Sequence, residues 1–149
     1  MYQKVIIPLD GSKEAEGVLP LVQREIGPDT QIVLLQVIQP VKDRSLMESA
    51  LGSQLEETEK TRALVYLRDV LRRFEGDPLK WRCEAIVAES VADGIAEFAR
   101  LEGADLIAMY SPERKGLAGL IKKSVAKDVQ KKASMEVKTY SSEEVARVT

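Results

Sequence analysis

The chain has 149 residues, 44% of them hydrophobic and 31% charged, with a net charge of −2. That is the size and balance of one globular domain, with no basic excess to draw nucleic acid. It has no histidine and a single cysteine, Cys83, so a Ser-His-Asp or Cys-His triad, a His- or Cys-ligated zinc site and an internal disulfide are all excluded.

The first segment, Lys4 to Leu9, is a short apolar run ending at Asp10-Gly11-Ser12, as expected for a strand buried on both faces. Ser12 suits a helix N-cap, with Glu14 and Glu16 near the positive end of the dipole. The helix from about Lys13 carries Val18, Leu19 and Val22 to Ile26 and stops at Gly27-Pro28-Asp29. Pro20 inside it either kinks the helix or sits where its missing N–H is tolerated. Gln31 to Ile38 is the second strand.

A polar stretch with Pro40, Asp43 and Arg44 leads to a long helix from about Ser45 to Phe74, with Leu64, Leu67, Leu71 and Phe74 as its stripe. Gly52 and Ser53 could break its first part. After the turn Glu75-Gly76-Asp77-Pro78, residues Trp81, Cys83, Ala85 and Val87 alternate with a more polar face. Cys83 reads as a structural thiol, since no CxxC partner activates it. Ser90 suits the cap of a helix bearing Val91, Ile95, Phe98 and Ala99, closed by Gly103.

Ala104 to Met109 is the fourth strand, and a loop from Tyr110 to Leu120 precedes a helix from about Lys122 to Lys132. Glu136, Val137, Lys138, Thr139 and Tyr140 form the last strand. The domain is expected over 1–140, with 141–149 a frayed polar tail. Strict alternation predicts a single doubly wound, mostly five-stranded parallel sheet with helices on both faces. Ligands of such sheets bind beyond the carboxyl ends of the strands, where strand order reverses. The loops after the first and fourth strands are the place to look. With neither a signal peptide nor a membrane span legible, a cytoplasmic location is expected.

Both G-x-x-x-x-G-K-[ST] and a G-x-G-x-x-G after the first strand are missing. Pro8-Leu9-Asp10-Gly11-Ser12 reads as a strand end and helix cap, or as a carboxylate offered to a ligand at the sheet edge. From Arg114 to Lys132 seven basic residues face only Glu113 and Asp128. This cluster reads as a solvated helix face, or as a site for an anion or acidic partner near Lys122, Lys123 and Lys127.

Four segments in order resemble the universal stress protein family. They are Val5 to Ser12, Leu34 to Ile38 with Gln36 where a histidine often stands, Ala104 to Met109, and Ser124-Val125-Ala126. The resemblance covers about residues 2 to 140. It implies a Rossmann-like fold similar to the adenine nucleotide alpha hydrolases. ATP-binding members carry G-x-x-G, nine residues, then G-[ST], and here Tyr110, Glu113 and Lys123 stand at the three glycines. Glycines there let backbone amides approach phosphate. Ser124 and Val125 persist, and Pro8, Asp10 and Val37 match positions lining the family's adenosine cleft.

Glu113 sets a negative charge near a triphosphate, and the bulk of Tyr110 is expected to crowd it. The resemblance thus implies a non-enzymatic regulatory homodimer, paired through its last strand, that has lost tight ATP binding and has no cofactor. The alternative is an ATP- or AMP-binding switch using Pro8, Asp10, Val37, Lys123, Ser124 and Val125. With no histidine, catalysis would need a carboxylate base such as Asp10 or Glu113.

Overall fold

In the computed structural model, residues 1–40, 50–112 and 125–147 are described. The strands are β1 (Lys4–Pro8), β2 (Gln31–Ile38), β3 (Trp81–Val87), β4 (Leu106–Tyr110) and β5 (Glu136–Tyr140). The helices are α1 (Lys13–Glu16), α2 (Val18–Glu25), α3 (Ala50–Phe74), α4 (Val91–Glu102), α5 (Val125–Lys132) and α6 (Ser142–Ala146). All strand pairs are parallel, in the order β3-β2-β1-β4-β5. The expected sheet is present.

Alternation along each strand divides the core in two. Val5 and Ile7 of β1 and Leu9 just after it pack on one face with Val18, Val22, Leu67, Val70 and Val145. On the other face Ile6, Val33, Leu35 and Ile107 meet Ala92, Ile95 and Ala99 of α4 and Ala126 and Val129 of α5. Helices therefore cover both faces.

Several local expectations shift. The first predicted helix is two helices, divided at Gly17 and not at Pro20. Pro20 falls in the first turn of α2, where its missing N–H leaves nothing unpaired. Gly52 and Ser53 do not interrupt α3, whose buried residues are Gly52, Ala63, Leu67 and Val70, while Leu71 and Phe74 are half-buried. The predicted start at Ser45 lies outside the described residues.

β4 begins two residues later than expected because Gly103 (φ 69°) caps α4 and Asp105 is held as a corner. The Asp105 carboxylate accepts the Gln3 and Lys4 amides at 2.9 and 3.0 Å. Residues 142–146 are not frayed: they form α6, whose capping box joins Ser141 to Glu144 and whose Val145 is buried. One apolar side chain and a good cap outweigh the polarity of its neighbours.

At the amino edge of the sheet Glu102 takes Arg82 at 2.5 Å and Lys4 at 3.3 Å. The bonded Arg82 guanidinium chiefly holds its carboxyl below the ordinary value near 4.5, with burial opposing and Lys4 adding. A lowered folded value gives stability that is present above the unfolded value and lost as pH falls through the folded one. The Tm difference between wild type and Glu102→Gln is therefore expected to be full at pH 7 and to shrink as pH drops below about 4.5. A scan of Tm against pH showing a constant difference would refute this.

Cys83 is half-buried against the first core, and burial pushes its thiol up, with the Arg68 charge opposing. Gln36, on the same sheet face as Ile32 and Leu34 by alternation, has a buried Oε1 with no hydrogen-bond partner among the described residues. An orphaned buried polar atom costs about 1–3 kcal/mol, so Gln36→Met is expected to stabilise the fold by about 1 kcal/mol. Thermal melts would show a rise of about 2–4 °C; a fall would contradict it.

Candidate functional site

β1 lies between β2 and β4, so strand order reverses at the β1/β4 pair, where Val5 faces Leu106 and Ile6 faces Ile107. A crevice outside the carboxyl ends of these two strands is the ligand position of such sheets. Its walls start at Asp10-Gly11-Ser12 after β1 and at Ser111-Pro112 after β4.

The β1 loop is rigidly made. Asp10 Oδ1 accepts the Ser12 amide at 2.9 Å and the Ser12 hydroxyl at 2.6 Å. Ser12 Oγ in turn accepts the Ala15 amide at 3.2 Å and caps α1. Gly11 has φ +91° with open space where a side chain would stand, a conformation that favours glycine. The carboxylate thus serves as a loop brace, which is the structural reading of this motif. It still lies exposed at the sheet edge.

Tyr66 of α3 supports the same loop, and sequence reasoning missed it. Its hydroxyl donates to Glu16 Oε2 at 2.8 Å and lies against the Gly11 amide. Burial first, then the bond to Glu16, pushes its hydroxyl up, so it stays a donor at neutral pH. Glu16 also receives Arg73 at 3.1 Å, tying α1 to α3. Tyr66 falls beside the apolar stripe of α3, and only the three-dimensional packing reveals its partner.

Of the expected site residues, Pro8 ends β1, Asp10 stands two residues beyond it, and Val37 is two residues past Leu35, the register partner of Pro8. Val37 packs in the second core, where Gly94 allows α4 to approach: a Cβ there would lie 2.7 Å from Ala88 Cβ and 3.2 Å from Val37 Cγ1. Val125 opens α5 and is exposed. Lys123, Ser124, Lys122 and Glu113 lie outside the described residues; Lys127 is on α5 and exposed.

Tyr110 requires a correction. Its ring was expected to crowd the ligand, yet it packs with the first core and its hydroxyl meets Ser142 Oγ at 2.8 Å. Ala126 and Val129 place α5 in the second core, on the other face of the sheet. Strand alternation decides this, because Tyr110 shares its face with Leu106 and Ala108.

Among the described residues, no helix is long and apolar enough to cross a membrane, and no group of His, Cys, Asp or Glu gathers to hold a metal ion. The strand order and the helices on both faces define a doubly wound α/β domain. A model of the universal stress protein family matches residues 1–138, and the chain belongs to that family.

Solved structures agree on the fold. The hypothetical protein MJ0577 is 24% identical with TM-score 0.69, covering 95% of this chain and 96% of its own. A universal stress protein in complex with cAMP is 17% identical with TM-score 0.66, over 95% and 98%. A universal stress protein family protein from Arabidopsis thaliana with AMP bound is 16% identical with TM-score 0.57, over 93% and 91%. Among curated proteins none matches the chain.

Proposed function

We propose that this chain is a non-enzymatic regulatory universal stress protein that acts as a homodimer and has lost tight ATP binding. The observation that carries it is Tyr110. A non-glycine residue, its hydroxyl bonded to Ser142, stands at the position of the motif's first glycine. Backbone freedom that phosphate binding exploits is thereby removed. Glu113 and Lys123 take the remaining two glycine positions. Asp10, the nearest candidate base, is engaged by Ser12.

Homodimerisation is supported by β5, which is an edge of the sheet. An edge strand offers unpaired backbone groups to a second copy. Light scattering at micromolar concentration is expected to give twice the monomer mass. A monomer would remove this part.

A second reading, a receptor for an adenine mononucleotide, is favoured by the same tyrosine. Its ring lies on the face away from α5, so it does not fill the crevice. Pro8, Asp10 and Val37 would then hold adenosine, and two of the similar structures contain AMP and cAMP. Calorimetric titration separates the readings. ATP is expected to bind more weakly than about 1 mM, a free energy of about −4 kcal/mol. Micromolar ATP binding that disappears on Asp10→Ala would overturn the first reading.

A further inference from the structure

Past residue 138 the chain leaves the stretch matched by the family model and yet stays folded as α6. This helix touches both the last residue of β4 and the end of α1, the helix that follows β1. Towards β4, Ser142 Oγ meets the Tyr110 hydroxyl at 2.8 Å, and Tyr140, the last residue of β5 just before the helix, accepts the Ser111 amide at 2.9 Å. Towards β1, buried Val145 presses on Gly17, where a Cβ would stand only 2.3 Å from Val145 Cγ1. Gly17 closes α1, the helix that Ser12 opens from the Asp10 loop.

We propose that α6 is a clamp coupling the β1 and β4 sides of the crevice, so that its docking and whatever the crevice holds are linked. Five residues are too few for a helix to persist on its own. Its helicity therefore depends on docking through Val145 and Ser142, which makes it a two-state element in contact with both walls. Any ligand that binds the docked state better must favour docking, and docking must favour the ligand by the same factor. The clamp itself stands on contacts within the chain; only the choice of AMP as probe rests on the mononucleotide reading above.

Hydrogen exchange of the full chain tests it from each side. Gly17→Ala perturbs the α1 wall alone, yet exchange of the Ser111 amide on the β4 wall is expected to speed up on the order of tenfold. Ser142→Ala perturbs the β4 wall alone, and the Gly17 amide, bonded to Lys13 O at 3.1 Å, is expected to exchange faster. Should Gly17→Ala fail to fold, Val145→Ala loosens the same contact without crowding. Unchanged exchange across the crevice in these variants overturns the clamp. With excess AMP, slower exchange at the Val145 and Arg147 amides supports the linkage. AMP that binds by calorimetry without slowing them overturns it. Cross-crevice coupling together with no AMP binding leaves the clamp standing and removes the mononucleotide reading.

Discussion

Titrated with ATP, the variant Glu113→Gly is expected to bind on the order of a hundredfold more tightly than the wild type. Two unit charges about 5 Å apart repel by roughly 3 kcal/mol at an effective dielectric near 20. At about 1.4 kcal/mol per decade that is roughly two decades in affinity. Glycine at this position also returns the backbone freedom that amide-to-phosphate contacts require. Glu113→Gln separates the two effects, since it removes charge and leaves the backbone restricted. Tyr110 should be left in place, because its hydroxyl holds Ser142 and its ring faces away from α5. If the Glu113→Gly variant binds ATP no better than wild type in calorimetry, the Glu113 charge is not what sets nucleotide affinity.

Leu67→Ala should cost about 2–5 kcal/mol, as truncation of a buried leucine does. Leu67 is fully buried and joins the middle of α3 to the first core. Domains of this kind are stable by only about 5–15 kcal/mol, so the loss is a large share of the total. Trp81, the only tryptophan, provides the signal: it is buried and tilted against Phe74 at 5.4 Å between ring centroids. Urea unfolding followed by its fluorescence should show a lower midpoint with the slope unchanged. Val65 on the same helix is 61% exposed, so Val65→Ala is the control and should move stability by less than about 0.5 kcal/mol. Equal effects from the two variants would mean that α3 packs differently.

The sheet was legible because its signals are local. Gln31–Ile38, Trp81–Val87 and Glu136–Tyr140 are apolar or alternating runs bounded by turn residues, and these strands stand where the runs do. Ser12, Ser90 and Gly103 announce helix ends by chemistry that acts within a few residues. What escaped depends on distant partners. Gly17 divides the first helix while its backbone also makes room for Val145, near the other end of the chain. Nothing near Tyr110 says that its hydroxyl will find Ser142, and nothing near Tyr66 points to Glu16. In the crevice, the Asp10-Gly11-Ser12 turn was readable as a cap; the face on which Tyr110 lies was not. Alternation could have supplied that face, had Tyr110 been counted as the last residue of β4 and not the first of a loop.

The pairing of β1 with β4 also has a consequence for synthesis. Residues Val5 and Ile6 meet partners about a hundred positions downstream. During translation, at about 5–20 residues per second, the central strand of the sheet waits several seconds or more with one side unpaired. Its apolar run is exposed to other chains for all of that time. Distant pairings of this kind slow folding and lengthen the time for which the unpaired strand is prone to aggregate.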